Sequence, residues 1–256
     1  MMSYFSKWVF TFFVVVVVIA QPAWAFDFSK WDDLLKKYVA EATIDGVNIH
    51  AVDYQKLGKD PDYGALVKDL ETVSLANVKT KQDKLAFWIN VYNVMAVKIV
   101  LDHYPVESIK DAGSFFQAVW KKDVGTVGGK TRTLNEIEHG ILRKLGEPRI
   151  HMAIVCASVS CPDLRKEAYT VKQLDAQLDD QVRKFLANTD KGLRVDSKKK
   201  QVYLSSIFKW FKEDFAPKGG VISFITPFAP DDVQGTLKSG SPRVVYLDYN
   251  WNLNEL

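Results

Sequence analysis

Gln82–Leu101 reads QDKLAFWINVYNVMAVKIVL. The spacing predicts a helix whose apolar side chains surround almost the whole circumference, with Lys84 and Lys98 on a narrow polar strip. Such a helix belongs in the centre of a core. Its charge-free part, Leu85 to Val97, falls well short of the ~20 apolar residues that cross a bilayer, so it reads as a core helix. Asn90 and Asn93 interrupt the run three positions apart, hence on one side. Buried amides need partners. Asn90 has two readings: it orients a catalytic histidine or donates to an oxyanion, or it caps the backbone of a neighbouring loop.

Working outward, Phe28 to Ala42 has helical spacing through Trp31, Leu34, Leu35, Tyr38 and Val39. Val47 to Tyr54 reads as a strand and Tyr63 to Val73 as a short helix. Ser114 to Trp120 fits neither pattern. Val124 to Thr131 reads as a hairpin turning at Gly128-Gly129. Thr133-Leu134-Asn135-Glu136 fits a capping box that opens a helix to about Leu145, and Thr170-Val171-Lys172-Gln173 a second one, opening a helix to Ala187. Between them, Arg149 to Ser158 is apolar on both faces and reads as an interior strand. Leu193 to Leu204 is a hairpin with the solvated run Lys198-Lys199-Lys200 at its tip. A short aromatic helix, Ile207 to Phe215, is capped by Ser205 or Ser206, and Arg243 to Leu247 is a last strand. Strands and helices do not alternate regularly. This predicts an α+β fold in a single compact domain, its central buried helix packed on a small, mostly antiparallel sheet.

Lys and Arg number 34 against 31 Asp and Glu, a formal net charge of +3, so no strong electrostatic case exists for nucleic acid as partner. The first 25 residues, MMSYFSKWVFTFFVVVVVIAQPAWA, read as a secretory signal peptide. Lys7 precedes a short apolar run, Gln21-Pro22 breaks it, and Ala23-Trp24-Ala25 supplies small residues for cleavage. The expected mature domain spans 26–256, works in the periplasm or is secreted, and keeps no stable membrane anchor. No pattern resembles a zinc site and no glycine-rich phosphate loop follows a strand, so neither metal nor cofactor is expected.

The chemistry concentrates in RIHMAIVCASVSCPDL, Arg149 to Leu164. Ser160-Cys161-Pro162-Asp163 reads as a helix start, which would place Cys161 at the positive end of a helix and favour its thiolate. Three readings stay open: a nucleophilic Cys161, a Cys156–Cys161 disulfide of an oxidising compartment, or two inert buried thiols. On a regular strand His151 and Cys156 point to opposite faces, a poor dyad. Glu138 falls within the apolar arc of Leu134, Ile137, Ile141, Leu142 and Leu145, where a carboxylate must be paired or protonated. His139 lies just beyond that arc.

AFWINVYN (Ala86–Asn93), LNEIEHGILR (Leu134–Arg143), RIHMAIVCASVSCPDLR (Arg149–Arg165) and VYLSSIFKWFKEDF (Val202–Phe215) together resemble the domain-of-unknown-function 547 family. The ending YLDYNWNLN, Tyr246 to Asn254, is similar to the tail of its secreted members. The first cysteine of that family is often followed by Gly; here Ala157 stands there. The resemblance implies that Asn90, Glu138, His139, His151, Cys156 and Cys161 are site residues, in a cysteine-peptidase-like or transglutaminase-like role. The expected activity is a thiol-dependent hydrolase or acyl transferase acting on an amide bond of a peptide or cell-wall-like substrate. Cys161 would attack, His139 act as base then acid, Asn90 orient, and Glu138 hold the site, with His151 and Cys156 in reserve. The alternative is a non-enzymatic binding protein with a structural Cys156–Cys161 disulfide.

Overall fold

The computed structural model describes residues 26–113, 118–196, 198–199, 201–238 and 242–256. The expected signal peptide lies outside them, as does most of the 114–120 segment. Helix α1 (Ser29–Tyr38) buries Trp31, Leu34, Leu35 and Tyr38. It ends earlier than its spacing predicts, because Val39 opens strand β1 (Val39–Ile44), which pairs antiparallel with β2 (Val47–Val52). Asp45-Gly46 makes the turn, both residues at positive φ (51° and 79°), the geometry that suits a two-residue hairpin. Helix α2 (Pro61–Glu71) starts on Asp60, whose side chain accepts from the Asp62 amide, with Pro in the first turn.

Helix α3 (Lys81–His103) is the expected central helix. Thr80 and Asp83 close a reciprocal capping box at 3.0 and 2.9 Å. Fifteen of its residues are buried. It is long and apolar enough to cross a membrane, but 83% of its most apolar window is covered by this protein. It ends before Tyr104-Pro105, where proline disfavours further helix.

The strands around α3 do not form one sheet. Beside β1–β2 there is a second hairpin, β3 (Asp123–Val127) with β4 (Lys130–Thr133), and a three-stranded sheet in which β6 (Gln201–Leu204) lies antiparallel to β5 (Leu193–Asp196) and parallel to β7 (Arg243–Tyr246). Helix α4 (Leu174–Ala187) begins after the Thr170 turn, and α5 covers Asp231–Lys238. The core has two main parts. The larger surrounds α3; the smaller gathers Met152, Phe185, Phe208, Phe215 and Phe224.

Three local expectations are corrected. Arg149 to Ser158 is not a strand: Ile150–Ala153 forms one helical turn, closed by the Ile154 amide on the Ile150 carbonyl, before the chain extends. A run buried on all sides carries no period to separate strand from helix. The segment after Thr133 is not a regular α-helix. Glu136–Leu142 is wound with five-residue hydrogen bonds, such as Arg143 N–H to the Glu138 carbonyl. Finally, no helix starts at Cys161; Asp163 instead accepts from the His50 amide and from Lys191.

Gly192 sits where a Cβ would lie 1.8 Å from the Phe185 carbonyl oxygen, whereas a Cβ on Gly64 in α2 meets nothing within 4 Å. Gly192→Ala is therefore expected to cost about 3 kcal/mol or more. Gly64→Ala should stabilise by about 0.5–1 kcal/mol. Urea melts of the two variants check both signs.

Candidate functional site

The two asparagines of α3 set the geometry. Asn93 donates to the Ala153 carbonyl (2.9 Å) and accepts from the Val155 amide (3.0 Å). Asn90 donates to the Tyr169 carbonyl (2.8 Å) and accepts from the Tyr169 amide (2.9 Å). Both amides thus bind backbone through nitrogen and oxygen alike, the capping reading, and Asn90 does not line the cavity described next. Asn93 holds the chain immediately before Cys156.

Beyond that grip, Cys156 and Cys161 are joined in a disulfide, with Cα atoms 6.0 Å apart. The Cys161 expected at a helix end as a thiolate is therefore neither at a helix end nor a thiol. The hydroxyls of Tyr249 (3.1 Å) and Ser158 (3.3 Å) donate to Cys156 Sγ. Behind the bridge, buried Lys191 donates to the Cys161 carbonyl (2.9 Å) and Asp163 (2.6 Å). Between the cysteines, Ala157 is buried in the left-handed region (φ 53°), which glycine enters freely and alanine at a cost of roughly 1–2 kcal/mol.

The disulfide walls a cavity of about 240 Å³. Glu138, His139 and His151 share its lining with the aromatic residues Tyr92, Trp120, Trp210, Phe211, Tyr249 and Trp251. Five of the six expected site residues therefore converge. The helical turn at Ile150–Ala153 and the wide winding of Glu136–Leu142 bring together residues that ideal strand and α-helix geometry would splay apart. The rings contact one another: Trp210 lies against Trp251 (5.8 Å between centroids, 22°) and Tyr249 (4.9 Å), and Phe211 stacks on His151 (4.1 Å, 22°). A wider cleft of about 630 Å³ beside Phe26 and Tyr169 gathers neither histidine nor cysteine.

Two residues not expected as site members complete the polar end. Asp214 accepts from His151 Nε2 (2.7 Å) and takes both Arg143 Nε (2.6 Å) and Nη2 (2.7 Å). Asp214 lies in the segment Val202–Phe215 already singled out by resemblance, where the alternation of Lys212, Glu213 and Asp214 hides it among surface charges. Arg143 also reaches His139 Nδ1 at 2.6 Å.

Burial pushes Glu138 up to about 7, against the Arg143 charge and the Tyr92 hydroxyl, which donates to Glu138 at 3.4 Å. Burial pushes His151 down to about 4, against the Asp214 hydrogen bond. The His151–Asp214 contact is thus a neutral imidazole N–H on a carboxylate at pH 7. Burial and the Arg143 charge lower His139. Burial pushes Asp214 up, but its hydrogen bonds from Arg143 and His151 outweigh that and hold it below the usual range. Among the described residues no group of three His, Cys, Asp or Glu is disposed to hold a metal ion.

These shifts fix a pH dependence. Glu138 stabilises the fold below its ordinary value of 4.5 and loses that contribution as pH rises to about 7; His151 stabilises it above 6.5 and loses that contribution as pH falls to about 4. Glu138→Gln should therefore be more stable than the parent at pH 8, by on the order of 1–3 kcal/mol. The gain should vanish near pH 4.5. Paired urea melts at the two pH values measure it.

No match to the chain is found among curated proteins or among solved structures. The model of one family, described as protein of unknown function, DUF547, matches residues 75–186, a span holding both asparagine clamps, Glu138, His139, His151 and both cysteines. Residues 75–186 are thus similar to the DUF547 family, the one that the motifs of this chain resemble.

Proposed function

We propose that the protein is an exported ligand-binding protein whose cavity is walled by a structural Cys156–Cys161 disulfide. The single observation that carries this reading is the S–S bond in the cavity lining, because sulfur bonded to sulfur is not a thiolate and does not attack a carbonyl. The lining supports it too: a concave, largely aromatic wall with few polar groups gathered at one end is the usual build of a small-ligand site. Export agrees with the bond, since disulfides persist outside the cytoplasm. A peptide or cell-wall-like ligand suits that compartment.

One observation favours the thiol hydrolase or acyl transferase as a second reading: His151, hydrogen-bonded to Asp214, lines the same cavity as both sulfurs. That chemistry needs a dithiol reductant, which gives two electrons and two protons to the bridge and leaves as its own disulfide. One thiolate then attacks the amide carbonyl, and His151 takes the thiol proton and passes it to the leaving amine. Water or an acceptor amine then cleaves the thioester. Asp214, not Glu138, orients the imidazole in this scheme, and His151 replaces His139 as the base.

Alkylation of the folded, unreduced protein near neutral pH separates the two. The binding reading predicts no modified cysteine before reduction and two after denaturation with reductant. Two free thiols in the native protein, one alkylating fast, would overturn it in favour of the enzyme.

A further inference from the structure

Resting on the ligand-binding reading, we propose that the cavity takes an organic cation, an amine or quaternary ammonium group held between Glu138 and the aromatic wall. Glu138 is 7% exposed, and among the described residues its carboxyl takes one hydrogen bond, the long one from Tyr92. Among the described residues no salt bridge reaches it: Arg143, whose charge acts on it, is hydrogen-bonded to both oxygens of Asp214 and to His139 instead. A buried carboxyl that lines a cavity, its neighbouring guanidinium hydrogen-bonded to Asp214 instead, is complementary to a positively charged ligand. The walls point the same way. Ring faces of Trp and Tyr attract cations, and quaternary ammonium groups are bound in such aromatic cages. This wall already does so at its outer edge, where Lys110 Nζ sits 3.7 Å from the Trp251 ring centroid. Trp210, 48% exposed, is a ring of this lining that solvent reaches.

Charge at the site follows pH through Glu138. The groups facing it are Tyr92 from α3, His139 and Arg143 from the wide helical turn, His151, Asp214, and Tyr249 from the tail. His139 and His151 are both held below the usual imidazole range, Asp214 below the usual carboxylate range, and both tyrosines above theirs, so near pH 7 the carboxyl is the group that changes. Cation affinity should rise with pH through that value, with Glu138 supporting the attraction once ionised.

The test is calorimetric titration of the intact, unreduced protein with choline and with its uncharged isostere 3,3-dimethyl-1-butanol, at pH 6 and pH 8. Choline is expected to bind ~10-fold more tightly than the isostere at pH 8, and less so at pH 6. Glu138→Gln, with its fold checked by circular dichroism, should remove most of that preference, and Trp210→Leu should weaken choline without restoring the isostere. Equal binding of the two probes, or a preference untouched by Glu138→Gln, would overturn the cation while leaving a cavity that binds neutral ligands. No binding of either probe overturns the proposal alone, because the reading beneath it stands or falls on the alkylation count.

Discussion

Two side-chain amides on one buried helix hold the molecule in register. Asn90 and Asn93 sit one turn apart on α3, in a stretch otherwise too apolar to hold anything by polarity. Each gives its N–H to a passing carbonyl and its oxygen to a passing amide. The carboxamide offers the passing backbone one donor and one acceptor, so a buried carbonyl and a buried N–H are both satisfied at each clamp. Removing one partner of such a pair strands buried peptide groups, at about 1–3 kcal/mol each. The grip by Asn93 fixes Ala153 to Val155, and thereby sets both His151 behind it and the disulfide ahead of it.

The site built on that frame separates its charges by environment. Arg143 hydrogen-bonds to Asp214 and acts on buried Glu138 through its charge without a hydrogen bond to that carboxyl. Burial then favours the neutral form of both the carboxyl and the imidazole, in opposite directions of pKa. The tail residues Tyr249 and Trp251 close the cavity, held there by tail contacts with the cysteine loop, including Val159 N–H to the Asn252 carbonyl and Asn254 N–H to the Ala157 carbonyl. The result is a cavity lined by aromatic rings, a buried acid and a disulfide.

Much of this is legible in the chain and some is not, for physical reasons. The central helix is legible because an apolar pattern around its whole circumference leaves a helix nowhere but the core, and its Thr80–Asp83 box marks the start. Both hairpins downstream announce themselves by turn residues; the Asp45-Gly46 signal was equally available and explains why α1 stops at Tyr38. The segment around His151 is not legible, since burial erases the period. Pro162-Asp163 resembles a helix start, but Asp163 is claimed by His50 and Lys191 instead, a contact no local pattern reveals. Asp214 was missed because its partner is 63 positions away in sequence. Five of the six residues that the resemblance singles out line one cavity, whereas Asn90 caps the backbone at Tyr169.

The most direct measurement is native-state hydrogen exchange of the Val155 and Tyr169 amides in the parent protein and in Asn93→Ala. The asparagine grips predict that both amides are strongly protected in the parent and that the variant loses protection at Val155 while keeping it at Tyr169. Unchanged protection at Val155 would contradict the claim that Asn93 holds the cysteine loop in place.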